Sequence, residues 1–258
     1  MKLSGFFQSF LVHLDELRQR LIKVLLGFIA ATLLCYNFVG QVLPWLIKPA
    51  CPAGRPACHL IYTSPTEAFG AYMTLAAVMG FLVSLPLTLY HVWGFMAGAL
   101  RPTEKRFIAV FGPLSFLFFL LGVTFSYFVA IPLTYRFLMG FSSEYMQPMI
   151  TVSSYMGFLA NMLIAFGVTF ELPLILAFLA KIGIATPEFL RQKRRHAIMI
   201  ILIVAAIVTP PDVVSQMLLA VPLVVLYEVG IIFVKLVTPR GARGDARVIE
   251  KGIKHKTL

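Results

Sequence analysis

Eleven acidic residues in a chain of 258 are few enough that each can be weighed for the chemistry it could do. Glu171 lies amid an apolar run, FGVTFELPLIL. A charge at the centre of a membrane span costs about 3 kcal/mol on insertion scales, so a carboxyl carried there faces protein or water rather than lipid. Glu228 stands 12 residues after Gln216 in another apolar run, a little over three helical turns on the same side. Such groups bond to a neighbouring helix in the membrane, although Glu228 is also close enough to the end of its run to snorkel. Glu16 and Glu104 lie in two segments otherwise rich in Lys and Arg. Glu16 precedes Arg20 by four residues, the spacing of a helix-surface ion pair worth a few tenths of a kcal/mol. Glu104 follows Pro102 in what reads as the first turn of a helix, where an acid is favoured. Spacing alone leaves these structural readings level with a functional one.

No nucleophile–base constellation, phosphate-binding loop or metal-ligand cluster is readable. His13-Leu14-Asp15-Glu16-Leu17 lacks the second His, four residues on, that a zinc-binding helix needs. His91 and His196 read as interfacial. The chain is not read as an enzyme, and no cofactor or metal is expected. Cys51 and Cys58 bracket a Pro/Gly-rich loop, CPAGRPAC. In an oxidising compartment this pair can close a small ring, and a disulfide is favoured over a metal pair because only His59 adjoins it. Cys35 falls inside an apolar run and reads as packing.

These residues must be held by something, and composition says what. Apolar residues make up 59% of the chain and charged ones 13%, with mean hydropathy +0.88. A soluble domain carries roughly a quarter charged residues, so that class is excluded. The length suits one bundle of helices without an added soluble enzyme domain. Six apolar stretches are predicted at about 21–39, 70–93, 108–131, 157–180, 197–209 and 213–234. Helices are the default, because lipid offers no partner to an unpaired backbone group and the pattern lacks barrel alternation.

Lys and Arg fall unevenly about these spans. Of 22, all but Lys48, Arg55 and Arg136 lie on one side: the N-terminus, the second and fourth connections, and the tail from Lys235. That bias predicts cytoplasmic termini, and it makes the +11 net charge a matter of orientation rather than of nucleic-acid binding. No cleaved leader is expected, since the run from Leu21 is long enough to span and lacks a small-residue cleavage pattern.

The last two stretches read as short. At 1.5 Å per residue, 197–209 covers roughly 20 Å of an apolar core about 30 Å thick. Thr209-Pro210-Pro211-Asp212 follows; paired prolines end a helix, and Asp212 can cap the next. A tight hairpin with local bilayer thinning is expected. Pro86, Pro113, Pro132, Pro173 and Pro222 are expected to bend the spans. Upstream, Phe6, Phe7, Phe10, Leu11, Leu14, Leu17 and Leu21 share one helical face, and His13, Glu16 and Arg20 another. This predicts an amphipathic helix over 1–20, lying in the interface before it turns into the first span. A disordered basic tail is expected over 237–258.

At this point the sequence resembles the TatC family, the multi-spanning receptor subunits of the twin-arginine protein translocase. His13 to Leu21, HLDELRQRL, is similar to the family's N-terminal HLxELRxRL signature. Four further stretches agree: Trp93-Gly94-Phe95 running to Glu104, Phe166 to Pro173, Thr209-Pro210-Pro211-Asp212, and Ser215-Gln216 with Tyr227-Glu228-Val229-Gly230. The match runs in order from about residue 8 to 236. It implies an all-α membrane fold of six kinked helices in a cupped-hand bundle with short fifth and sixth helices. It also implies export of folded proteins carrying a signal with paired arginines across the bacterial cytoplasmic membrane, energised by the protonmotive force.

Carried over by residue, Glu16 and Glu104 match the carboxylates that bind the paired arginines, and Arg18, Arg20 and Phe95 match neighbouring recognition positions. Glu171 matches the polar residue of the concave face; Pro210, Pro211 and Asp212 match the outer loop. Gln216 and Glu228 fall on the helix that contacts the single-span partners TatA and TatB. A homo-oligomeric receptor complex in membrane lipid is implied. A planar guanidinium makes paired, charge-assisted bonds to a carboxylate that lysine does not reproduce. The family often has a proline after Phe95, where this chain reads Met96-Ala97-Gly98-Ala99-Leu100, and the Cys51/Cys58 pair is not a general family feature. The alternative is a proton-coupled secondary transporter using Glu171 and Glu228, for which the sequence offers no inverted repeat.

Overall fold

The computed structural model describes residues 2–50, 60–99, 106–141, 149–209 and 213–237. Cys51, Cys58, His59, Glu104, Pro210, Pro211 and Asp212, and the tail beyond 237, lie outside the described residues. Ten α-helices are described: α1 (Lys2–Tyr36), α2 (Val39–Ile47), α3 (Pro65–Met96), α4 (Arg106–Phe125), α5 (Ile131–Met139), α6 (Val152–Phe170), α7 (Leu172–Lys181), α8 (Pro187–Gln192), α9 (Arg194–Val208) and α10 (Val213–Val237).

Among the described residues, five helical stretches are long and apolar enough to cross a membrane: Leu14–Tyr36, Pro65–Met96, Ala109–Met139, Val152–Lys181 and Val213–Val237. The predicted fifth span is α9, whose 15 residues rise only about 22 Å. The sixth is longer than expected. α10 runs to Val237 and at 25 residues reaches span length. The expected turn near residue 20 is also absent. α1 is one helix of 35 residues, and no proline interrupts it.

Two spans carry breaks that position the polar residues. Between α4 and α5 the chain forms one π turn, Ser126–Ala130, in which Ile131 N–H bonds Ser126 O five residues back. Between α6 and α7 the ladder ends at Glu171, because Pro173 brings no N–H to continue it. α7 closes at Gly183, φ +82°, in a left-handed turn. There Ile184 N–H bonds Leu179 O at 2.9 Å and Gly183 N–H bonds Ala180 O at 3.1 Å, a glycine-terminated helix end that satisfies the last carbonyls.

Backbone closeness holds the bundle together. α1 packs along α3, where any Cβ on Gly80 would strike the Thr32 backbone; α4 packs on α6, where one on Gly122 would strike the Phe166 carbonyl. Lipid supplies no hydrophobic drive between helices, so such close approach and its dispersion contacts stand in for it. The main core joins Leu75, Ile131, Tyr155, Leu159, Phe166 and Leu219, and a second cluster joins Trp93, Phe111, Leu174 and Phe178.

Away from the second cluster, α2 is pinned at its C-terminal end. Tyr127 and Tyr155 donate their hydroxyls to the Trp45 and Leu46 carbonyls, each at 2.6 Å. The chain then makes a short parallel bridge, Ile61 to Thr151, with Val152 N–H bonding Ile61 O at 2.8 Å. Glu67, in the first turn of α3, accepts from Thr63 N–H at 2.8 Å, Thr63 Oγ1 at 2.9 Å and Ser153 N–H at 3.4 Å, clasping the two loops.

Candidate functional site

Glu16 and Arg20 sit one turn apart on α1, and the structure pairs them. Arg20 donates Nε at 3.0 Å and Nη2 at 2.7 Å to the same carboxylate oxygen, Glu16 Oε1. The third donor, Nη1, reaches α3 and bonds His91 O at 3.3 Å. That reach depends on Gly94: a Cβ there would collide with the Arg20 guanidinium. Arg20 is thus a bridge between α1 and α3 that fixes where the Glu16 carboxylate stands.

The bridge closes one side of an apolar cleft of about 470 Å³, lined by Arg20, Pro86, Tyr90, Gly94, Pro113 and Phe116 among others. Trp93 forms part of its wall and is itself held by Phe111 and Phe178, at ring-centroid distances of 5.4 and 5.7 Å. Phe95 is half-buried one residue beyond Gly94, and Arg18 is exposed on α1. Glu16, Arg20 and Trp93-Gly94-Phe95 therefore come together from α1 and α3. Glu104 lies outside the described residues.

Glu171 is buried, with 9% of its surface exposed, and faces protein as its cost in lipid requires. Ser115 of α4, fully buried, donates to Glu171 Oε2 at 2.5 Å, while Oε1 is buried with no partner among the described residues. The helix break carries the carboxyl to this junction of α4, α6 and α7. Glu171 caps α6, and its own carbonyl accepts from Leu174 and Ile175 at 3.0 and 2.9 Å as α7 begins.

Gln216 and Glu228 share one side of α10, and both face α9 of the same chain. Gln216 Nε2 donates to Leu202 O at 3.1 Å, and Arg194 Nη2 donates to Glu228 Oε2 at 2.6 Å. One residue before Glu228, Tyr227 bonds Leu190 O at 2.8 Å in a buried setting. The short α9 is therefore stitched to α10 at its first residue and, through Leu202, just past its middle.

Three contributors escaped the sequence. Ser115 offered no signal, since a serine in a membrane span is common. Gly94 lies in the shared stretch Trp93-Gly94-Phe95, but its role needs the neighbouring helix. Glu67 was legible: Ser64-Pro65-Thr66-Glu67 is a helix start with an acid in its first turn.

A model of the TatC family, described as Sec-independent protein translocase protein, matches residues 12–222. Relatives described as Sec-independent protein translocase protein TatC share this sequence widely. One from Desulforapulum autotrophicum is 39% identical over 223 residues, covering 86% of this chain and 83% of the relative. One from Aquifex aeolicus is 38% identical over 231 residues, covering 88% and 94%. One from Escherichia coli K12 is 33% identical over 234 residues, covering 91% of each. A crystal structure of the twin-arginine translocase receptor TatC superposes with a TM-score of 0.79 at 37% identity, covering 88% of this chain and 100% of that one. Matched over most of its length in sequence and fold, the chain is a multi-pass protein of the bacterial inner membrane and belongs to the TatC family, a translocase family and not one of catalytic enzymes.

Proposed function

We propose that this chain is the receptor of a twin-arginine translocase, reading paired arginines with Glu16 and Glu104 and passing folded proteins across the membrane at the expense of the protonmotive force. The observation that carries the reading is the Glu16 carboxylate held in an arginine fork at the lip of an apolar cleft. Arg20 already satisfies Glu16 with the chemistry an incoming guanidinium would use, so binding is an exchange of one arginine for another. A lysine ammonium offers no matching fork and is disfavoured in that exchange. The apolar part of the signal enters the membrane beside the site, and Arg18 and Phe95 flank it. Both termini are cytoplasmic in this reading, following the Lys and Arg bias.

Glu171 serves as the polar point of the interior groove, and α9 with α10 forms the contact for single-span TatA- and TatB-like subunits in a homo-oligomeric complex. The pairing of Glu228 with Arg194 weighs against the transporter alternative, because it engages that carboxylate in a contact between α9 and α10 of the same chain. The test is photocrosslinking to this chain of a twin-arginine signal peptide that itself carries the photoprobe, in native membranes. Charge reversal at Glu16 or Glu104 should reduce crosslinking, and an arginine-to-lysine signal should crosslink less. Undiminished crosslinking and export in the Glu16→Lys/Glu104→Lys double variant would overturn the reading.

A further inference from the structure

The turn joining α8 to α9 carries the densest positive charge among the described residues. From Arg191 to His196 six consecutive residues are exposed, RQKRRH. Arg194 is neutralised by Glu228. The side chains of Arg191, Lys193 and Arg195 make no ion pair or hydrogen bond among the described residues, and the only acid between Ile184 and Val208 is Glu188.

This cluster is held still. Leu190, next to Arg191, is buried and its carbonyl accepts from Tyr227; Arg194, between Lys193 and Arg195, is tied to Glu228. Consecutive residues of α10, Tyr227 and Glu228, thus hold Leu190 and Arg194, and each of the three cations adjoins one of these two. Immediately beside them the surface turns apolar. Phe189, Ile198, Met199 and Ile200 are 49%, 40%, 55% and 58% exposed.

A ligand that covers both surfaces must be anionic at one end and hydrocarbon at the other. An acidic protein segment would cover the cations and leave Ile198, Met199 and Ile200 uncovered. The length of α9 adds a second reason. At about 22 Å it is shorter than the hydrocarbon core, so headgroups must dip to meet its ends. At this end they meet three cations that are unpaired among the described residues. We propose that Arg191, Lys193 and Arg195 form a binding site for anionic phospholipid headgroups, whose acyl chains pack on Phe189 and the α9 face around Met199. The site needs only the membrane setting and is independent of the Glu16 reading.

The full-length chain is reconstituted in liposomes of phosphatidylcholine containing a trace of photoactivatable phosphatidylglycerol, or of photoactivatable phosphatidylcholine as control. Labelling of the peptide over 187–200 is then read by mass spectrometry. Phosphatidylglycerol should label it strongly and phosphatidylcholine weakly. R191Q/K193Q/R195Q should cut the phosphatidylglycerol label by about tenfold or more, whereas R191K/R195K, which keeps the charge, should retain it. Because the glutamine variant removes three charges at a turn, wild type in 1 M salt is read alongside; its label should fall in parallel. Equal labelling by both lipids overturns the proposal, as does an undiminished label in the glutamine variant with salt-insensitive wild type. Loss of the label on adding glycerol 3-phosphate identifies a free-phosphate site instead. Loss on adding an oligoglutamate peptide identifies a protein-docking site.

Discussion

The hydroxyl of Ser115 donates to the Glu171 carboxyl at 2.5 Å, joining α4 to the break between α6 and α7 deep inside the protein. The two residues are 56 positions apart, and both are buried. Loss of a hydrogen bond that leaves a buried polar group without a partner costs about 1–3 kcal/mol. Ser115→Ala should therefore destabilise the protein by that order in thermal or denaturant unfolding in detergent. In a Glu171→Leu background the same change should cost little, since the bond is already gone. An equal cost in both backgrounds would mean that Ser115 acts by packing alone.

Gly94→Ala inserts a methyl group where the Arg20 guanidinium lies. The Arg20–Glu16 pair is partly exposed, at 26% and 41%, so breaking it should cost less than about 1 kcal/mol of stability. Its effect on recognition should be larger, because Glu16 loses the group that aims it. The expected outcome is near-normal melting with reduced signal-peptide crosslinking, matched by Arg20→Ala and not increased by combining the two. Normal crosslinking in Gly94→Ala would show that Arg20 has another way to hold Glu16.

Where α8 and α9 meet α10, a neutral bond should outweigh an ionic one. Arg194 and Glu228 are each nearly half exposed, so solvent screens their attraction and Glu228→Gln should cost at most about 1 kcal/mol, less in high salt. Tyr227→Phe strands the buried Leu190 carbonyl and should cost about 1–2 kcal/mol, insensitive to salt. Melting both variants at low and high ionic strength separates the two; a salt-sensitive Tyr227→Phe would contradict this account.

Glu67→Ala should loosen two loops at once. Its carboxylate accepts from the backbone at both Thr63 and Ser153, so amide exchange should quicken several-fold over 60–63 and 150–153 together. The Gly80 contact between α1 and α3 should keep its protection. If only 60–63 responds, Glu67 caps its own helix without clasping the second loop.

The sequence carried the costly or local features and missed those made by distant approach. Glu171 was legible because a carboxyl in a span is expensive, but its partner Ser115 is unremarkable on its own helix. The i,i+4 spacing announced Glu16 with Arg20; nothing local announced that Gly94, 74 residues on, makes room for the guanidinium. The shortness of the 197–209 stretch was readable from paired prolines. The end of α10 was not, because Lys235 lies within its last turn without ending it. Amphipathic spacing over 1–20 reads as a separate element, yet no proline there stops a helix, and α1 continues through.

The π turn at Ser126–Ala130 has a consequence for how this sequence can change in length. A π turn holds one residue more than the ladder around it needs. Losing any single residue of this segment returns it to an ordinary helix and leaves Ile131, Thr134 and Tyr135 pointing where they already point. The same loss anywhere else in the α4–α5 stretch turns everything downstream by about 100° and swings those three buried side chains out of register. Single-residue deletions should therefore be tolerated here and rejected by the rest of the span, making this segment the one place in it with slack to spare.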